Sequence, residues 1–156
     1  MEFRRIFDTI PEKFDKWRPH YCNEAFDFLI KEAKLDKSKS LLEIGPGTGQ
    51  ATLPLLDTGC DYLAIELGEN FSRVMREKFL SRANFHLINA DFETHDFGGK
   101  SFDMIFSAAS IQWIKEEIAF QKSYELLKNG GFLGALRRKL SYSSVNGGQH
   151  EDETAP

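Results

Sequence analysis

The most informative segment of this 156-residue chain is Leu41-Leu42-Glu43-Ile44-Gly45-Pro46-Gly47-Thr48-Gly49-Gln50. An apolar run leads into three glycines at alternate positions, and a helical pattern follows them. Glycine lets the backbone turn sharply and lets a ligand lie against the main chain. The stretch therefore predicts a ligand-binding turn between a strand and a helix; the alternative is the same turn without a ligand.

The glycine spacing narrows the class of ligand. A dinucleotide-binding fingerprint, G-x-G-x-x-G, needs a third glycine where Gln50 stands. A Walker phosphate loop needs G-K-[ST], which does not follow. The spacing argues against both classes, and a fragment of an NAD-binding oxidoreductase remains as an alternative.

Short apolar runs alternate with helical patterns on both sides of the glycine loop. This alternation predicts an α/β fold with a parallel sheet. The predicted strands are Ser40–Ile44, Tyr62–Glu66, Asn84–Ile88, Phe102–Ser107 and Phe132–Leu136. The predicted helices are Asn23–Leu35, Gly49–Leu56, Asn70–Leu80 and Lys115–Leu127. In residues 1–20, Pro11 and Pro19 are expected to break regular structure, and Asn129-Gly130-Gly131 to form a turn.

Composition limits the partners and the compartment. Hydrophobic residues make up 41% of the chain and the net charge is -4, which fits one globular domain and disfavours nucleic acid as a partner. No apolar run approaches the ~20 residues of a membrane span, and the first residues do not resemble a signal peptide. Two distant cysteines, Cys22 and Cys60, are expected to be reduced thiols. We expect a soluble cytoplasmic protein without a membrane partner.

Acidic residues follow the second and third predicted strands. Glu66 ends the second strand, where a carboxylate can accept hydrogen bonds from both hydroxyls of a ribose. An acid at a helix N-terminus is the alternative interpretation. Asp91 and Phe92 follow the third strand, although Asp is also common in turns.

The glycine loop, with Glu43 two places before its first glycine, resembles motif I of the class I S-adenosylmethionine-dependent methyltransferases. The resemblance implies a Rossmann-like doubly wound sheet and S-adenosyl-L-methionine as cofactor. In that family the loop packs against the amino-acid and ribose parts of the cofactor, and residues matching Asp91 and Phe92 hold and border the adenine. The resemblance implies cofactor-binding roles for Glu43, Gly45, Pro46, Gly47, Gly49, Glu66, Leu67, Asp91, Phe92, Ser107 and Arg18.

Two further segments are similar to the family. Residues 101–113 resemble its fourth strand and the loop that faces the methyl donor, with Trp113 either in that loop or in the core. Phe7-Asp8, Phe14-Asp15 and Arg18-Pro19 resemble a segment that covers the cofactor in a branch acting on small molecules. Arg18 would pair there with the cofactor carboxylate; a surface arginine is the alternative.

The expected function is methyl transfer to a small molecule. The donor is already activated, so the protein mainly orients two reactants. We assign no catalytic base, since His20 is a lone histidine, and we expect no metal site. Ser107-Ala108-Ala109-Ser110 replaces the N-P-P-Y signature of nucleobase amino-methyltransferases, which argues against DNA methylation. The alternative is a truncated, non-catalytic module that binds the cofactor or another chain.

Three segments are predicted: a cap with its helix at 1–36, the cofactor-binding domain at 37–137, and a disordered polar tail at 138–156. The family sheet has seven strands, but this sequence supplies five, in the implied order 3-2-1-4-5, without the terminal hairpin. We therefore expect a shortened domain of reduced stability whose fifth strand is an open edge through which the protein self-associates.

Overall fold

A computed structural model describes residues 7–17 and 21–137 of the chain. It confirms the predicted α/β fold: five parallel strands form one sheet in the order β3-β2-β1-β4-β5. The strands are β1 Ser40–Ile44, β2 Asp61–Glu66, β3 Phe85–Asn89, β4 Phe102–Ala108 and β5 Leu127–Leu136. The helices are α1 Pro11–Trp17, α2 Asn23–Ala33, α3 Thr52–Leu56, α4 Glu69–Phe79 and α5 Glu116–Leu126, with 3-10 turns at Phe7–Thr9 and Ile111–Trp113.

The core lies on both faces of the sheet, because the central strands are covered on each side. Four of the five residues of β1 and five of the six of β2 are buried, as expected for parallel strands. One face packs against α2, α3 and α4 through a cluster that includes Phe26, Leu55, Met75 and Phe79. The opposite face includes Phe92, Phe97, Phe102 and Leu126. Over these described residues, no helix is long and apolar enough to cross a membrane.

The proline at the N-terminus does not have the predicted effect. Pro11 begins α1 instead of breaking the structure, since proline is well tolerated in the first turn of a helix, where its missing N–H has no intrahelical partner. The helix after the glycine loop starts at Thr52, three residues later than predicted, because the loop uses residues 45–51.

The turn predicted at Asn129-Gly130-Gly131 is also wrong. β5 begins at Leu127, directly after α5, and these three residues lie within the strand. The pairing with β4 shifts register between Phe102 and Met104, and Gly130 has a φ of +76°. The two glycines therefore form an irregularity inside the strand, where a residue with positive φ interrupts the ladder.

Asp103 lies at the opposite end of the sheet from the carboxyl ends of the strands, as expected for a structural residue. Its carboxylate accepts hydrogen bonds from the Ser40 N–H at 2.9 Å and from the ammonium groups of Lys39 and Lys128 at 3.2 and 2.7 Å. Partial burial raises its pKa, but these bonds outweigh burial and hold the pKa well below its usual range. The contacts fix the amino end of β4 to β1 and β5.

Candidate functional site

A cavity of about 220 Å³ opens at the carboxyl ends of the strands. It lies where the strand order reverses, between β1 and β4, which is the position at which open α/β sheets bind ligands. Its lining comes from the segments after β1 to β4 and from the N-terminal residues. The lining residues are Phe7, Phe14, Tyr21, Ile44, Gly45, Pro46, Gly47, Gln50, Ala51, Ile65, Glu66, Leu67, Phe71, Ala90, Asp91, Phe92, Ala108, Ala109, Ser110, Gln112, Trp113 and Ile114.

The glycine loop needs its glycines. Gly45, Gly47 and Gly49 have φ values of +64°, +61° and +86°, in the left-handed region that other residues avoid. A Cβ on Gly45 would lie 2.7 Å from the Ser110 side chain, and one on Gly47 would lie 3.3 Å from the ring of Phe14. The loop thus exposes main chain without side chains, with Ser110 packed against Gly45 and Phe14 against Gly47.

Glu66 connects the loops after β1 and β2. Its carboxylate accepts a 2.9 Å hydrogen bond from the Gly47 N–H on one oxygen and a 2.7 Å bond from the Gly68 N–H on the other. Burial raises the pKa of this carboxyl to about 7, although both backbone bonds lower it. Glu66 therefore holds the glycine loop and changes its charge near neutral pH.

Glu43 lies beneath the loop and does not line the cavity. One of its oxygens accepts hydrogen bonds from the Thr52 hydroxyl at 2.7 Å and the Tyr62 hydroxyl at 2.8 Å. Its other oxygen has no hydrogen-bond partner among the residues that the structure describes. Complete burial raises the pKa of Glu43 to about 7. The two hydrogen bonds connect β1 with α3 and β2 inside the core.

The end of β3 contributes Asp91 and Phe92 to the cavity. The Glu93 N–H donates to the Asp91 carboxylate at 2.9 Å, which folds the loop back on itself. Asn89, which the sequence did not single out, donates from its amide to the Glu66 carbonyl at 2.8 Å. That bond joins the ends of β2 and β3. A polar residue directly after a predicted strand is the sequence feature that could have indicated this role for Asn89.

At the end of β4, the serine that lines the cavity is not the one that the sequence indicated. Ser107 is buried outside the cavity lining, and its hydroxyl donates to the Ile44 carbonyl at 3.1 Å. Ser110, three residues later, lines the cavity instead. Between them, Ala109 has a φ of +57°, a strained conformation for alanine that turns the chain at the cavity wall. Trp113 lines the cavity and is not a core residue.

The N-terminal residues form a cap fixed to α4. Asp8 accepts hydrogen bonds from the Phe71 N–H at 2.8 Å and the Asn70 N–H at 3.3 Å, in the first turn of that helix. Asp15 accepts a 2.6 Å bond from Lys78, near the other end of α4. Between these contacts the ring of Phe14 packs 4.9 Å from that of Phe71 and covers the glycine loop.

The structure brings most of the predicted site residues together. Seven of them line the one cavity: Gly45, Pro46, Gly47, Glu66, Leu67, Asp91 and Phe92. Gly49, Glu43 and Ser107 lie outside the lining, and Arg18 and His20 fall outside the described residues. The sequence missed Tyr21, Gln50, Phe71 and Gln112, whose places depend on how the cap and the loop after β4 fold over the sheet.

The cavity has the chemistry to hold a nucleoside. Its walls are apolar and aromatic, and among its described lining residues the ionisable side chains are Glu66, Asp91 and Tyr21. Carboxylates accept hydrogen bonds from hydroxyl and amino groups, and aromatic walls accommodate a flat base. The bare glycine backbone admits a ligand that lies close to the main chain.

Comparison with known proteins agrees with this geometry. Residues 42–135 match the sequence profile of the methyltransferase domain family. Over 136 residues the chain is 29% identical to the malonyl-[acyl-carrier protein] O-methyltransferase of Marinomonas sp., covering 85% of this chain and 50% of that protein. A shorter match, 44% identical over 52 residues, covers 33% of this chain and 18% of ribosomal RNA small subunit methyltransferase A of Synechococcus sp..

Two solved structures have the same fold. The CcbJ methyltransferase of Streptomyces caelestis superimposes with a TM-score of 0.67 at 23% identity, covering 83% of this chain and 57% of that one. The glycopeptide N-methyltransferase MtfA, complexed with S-adenosyl-L-methionine, gives a TM-score of 0.60 at 25% identity, covering 70% of this chain and 52% of that one. The chain thus spans about half the length of these proteins and of the Marinomonas relative.

Proposed function

The chain belongs to the methyltransferase domain family, and from this premise we propose that it binds S-adenosyl-L-methionine and transfers its methyl group to a small molecule. The observation that carries the proposal is the joint between the two loops: a glycine turn of bare main chain, held by the buried Glu66 carboxylate one strand away. This arrangement supports a cofactor cradle in the glycine loop beside a ribose acceptor at Glu66.

The residues of the cavity fit the cofactor part by part. Glu66 accepts hydrogen bonds from the ribose hydroxyls with the acceptor capacity that its two backbone bonds leave free. Asp91 accepts from the exocyclic amine of adenine, and Phe92 borders the ring. Gly45 and Gly47 admit the amino-acid part against the main chain.

The protein's part in the reaction is to orient and shield. S-adenosylmethionine supplies an activated methyl group on a cationic sulfur. Phe14 and Trp113 provide aromatic walls, which favour a nearby cation and exclude water. No histidine, cysteine or lysine is among the described lining residues, and we assign the carboxylates of Glu66 and Asp91 to the cofactor, so we name no protein base for the acceptor.

Two observations favour a small-molecule acceptor over RNA. A relative matched over most of this chain is named for a malonyl group carried on a protein, and MtfA is named for a glycopeptide, so neither name refers to a nucleic acid. The ribosomal RNA methyltransferase match covers a third of the chain, and a net charge of -4 repels a phosphate backbone. A non-catalytic module that binds the cofactor or another chain is the second candidate.

Methyl transfer from tritiated S-adenosylmethionine tests the proposal. The purified chain is incubated with the small-molecule and RNA fractions of a cell extract, with Glu66→Ala as the inactive control. Label that enters the small-molecule fraction only with the wild type supports the enzyme. Tight cofactor binding with no transfer in either fraction supports the module, and label in RNA contradicts the choice of acceptor.

Location and self-association are further parts of the proposal. We propose that the protein acts in the cytoplasm, which cell fractionation with an antibody to the chain would check. Self-association through β5 remains a prediction whose test is described below.

A further inference from the structure

Lys122 of α5 does not line the cavity, but its ammonium contacts several groups of one neighbouring segment. Its ammonium donates hydrogen bonds to the carbonyls of His95 at 2.6 Å and Glu93 at 3.2 Å. The same Nζ lies 5.3 Å from the ring centre of Phe92 and 5.6 Å from that of Phe97. Four groups of the connection between β3 and β4 thus surround one cation.

The segment that Lys122 contacts, residues 90–101, contains no helix or strand. The Ala90 N–H donates to the Glu66 carbonyl at 3.0 Å, and the buried rings of Phe92 and Phe97 pack in the core. The carbonyls that Lys122 binds lie between these two rings in the sequence. The Lys122 ammonium reaches this segment from a neighbouring helix.

The Lys122 side chain is half-buried, so only part of it is removed from water. Burial lowers the pKa of the ammonium, while the charges of Asp91, Asp96 and Glu125 raise it. Two carbonyl oxygens and two aromatic faces replace part of the lost water. A leucine or methionine could fill the space against the two rings but could not donate to the carbonyls.

We propose that Lys122 is the positioning residue for adenine recognition: it holds the segment from Asp91 to Phe97 so that Asp91 and Phe92 meet the base. The inference rests on the proposed function, since it assumes adenine beside Phe92. It also links the adenine side of the cavity to α5, the helix that follows the cavity-lining residues Gln112 to Ile114.

The test compares Lys122→Met with the wild type in binding S-adenosylhomocysteine and its inosine analogue, in which a carbonyl replaces the adenine amine. Loss of the ammonium frees the segment, so we expect about five-fold weaker binding of S-adenosylhomocysteine and an at least three-fold smaller preference for it over the analogue. Lys122→Arg, which keeps a cation and donors, should restore the preference. Lys115→Met, an exposed lysine before the same helix, is the matched control.

The two-ligand design separates positioning from mere stability. If Lys122→Met weakens both ligands equally, or leaves both unchanged, the inference is overturned. If that variant does not fold, Lys122→Gln, which keeps a donor but no charge, is measured and should show an intermediate preference; an unchanged preference overturns the inference. Failure of the wild type to bind S-adenosylhomocysteine would instead defeat the proposed function, and the inference with it.

Discussion

Glu66 is the buried carboxyl to which we assign the cofactor ribose. It is 6% exposed, and each of its oxygens already accepts one backbone N–H. Burial first, and then the nearby charges of Asp8 and Glu43, raise its pKa to about 7 against the lowering effect of the two hydrogen bonds. A carboxyl with this pKa is partly protonated at neutral pH.

Affinity for S-adenosylhomocysteine should rise between pH 6 and pH 8, because ionised Glu66 is the better acceptor for ribose hydroxyls. Glu66→Gln should flatten this dependence, and Glu66→Ala should weaken binding by roughly ten-fold or more. Isothermal titration calorimetry at three pH values measures both effects. Glu69→Gln, an exposed acid in the first turn of α4, is the control. An unchanged dissociation constant for Glu66→Ala would refute the ribose assignment.

Glu43 should make the wild type lose stability as pH rises. Its carboxyl has a pKa of about 7 in the folded state and 4.5 as the reference value, so the folded protein keeps the proton to higher pH. The stabilising contribution is complete below 4.5 and is lost as pH rises through 7. Glu43→Gln removes the ionisation, so its stability relative to the wild type should improve with pH, by on the order of 3 kcal/mol in total.

Urea unfolding of both proteins at pH 5 and pH 8 measures this difference. The exposed variant Glu77→Gln should show no change in relative stability between the two pH values. Equal relative stabilities of Glu43→Gln at both pH values would mean that the buried carboxyl ionises as easily as an exposed one.

Among the elements, β5 is one of the two edge strands of the sheet, with β3 at the opposite edge. Within residues 7–17 and 21–137 it pairs with β4 alone, and Phe132 to Leu136 border an apolar groove with Phe28 of α2. An edge strand with unpaired N–H and C=O groups is a template for another strand. We propose that a second copy of the chain pairs with this edge.

Sedimentation velocity should therefore show concentration-dependent association of the wild type. Ala135→Lys places a charge at an exposed position of β5 and should shift the protein towards monomer without lowering its melting temperature. Ala83→Lys, at an exposed position before β3, should leave association unchanged. A wild type that is monomeric at all concentrations would exclude this interface.

The elements themselves could be predicted because each has a local cause. Apolar runs with flanking polar residues located all five strands, and β1 has the predicted bounds, Ser40–Ile44. Errors arose where one residue type suits two structures. Pro11 is typical of a break in structure but begins a helix. Gly130-Gly131 is typical of a turn but lies inside a strand, because the pairing of β5 with β4 extends past it.

Over the whole molecule, the site is a product of topology. Parallel strands bring the ends of β1, β2, β3 and β4 to one edge, so residues placed after a strand in the sequence, such as Glu66 and Asp91, meet in one cavity. The sequence could not show which side chains of the loop after β4 point towards the cavity. Ser107 and Ser110 both donate to the Ile44 carbonyl, but only the folded loop shows that Ser110 lines the cavity and Ser107 does not.

The domain segmentation at 1–36, 37–137 and 138–156 stays a prediction. The matched family segment, 42–135, lies within the second segment. The contacts of Asp8 and Asp15 with α4 indicate that the cap and the sheet domain support each other.

Calorimetric titration of the whole chain with S-adenosylhomocysteine and, separately, with NAD distinguishes a methyltransferase cofactor site from a dinucleotide site. We expect one site per chain for S-adenosylhomocysteine, weakened by Glu66→Ala, and no heat of binding for NAD. Binding of NAD with no response to S-adenosylhomocysteine would contradict it.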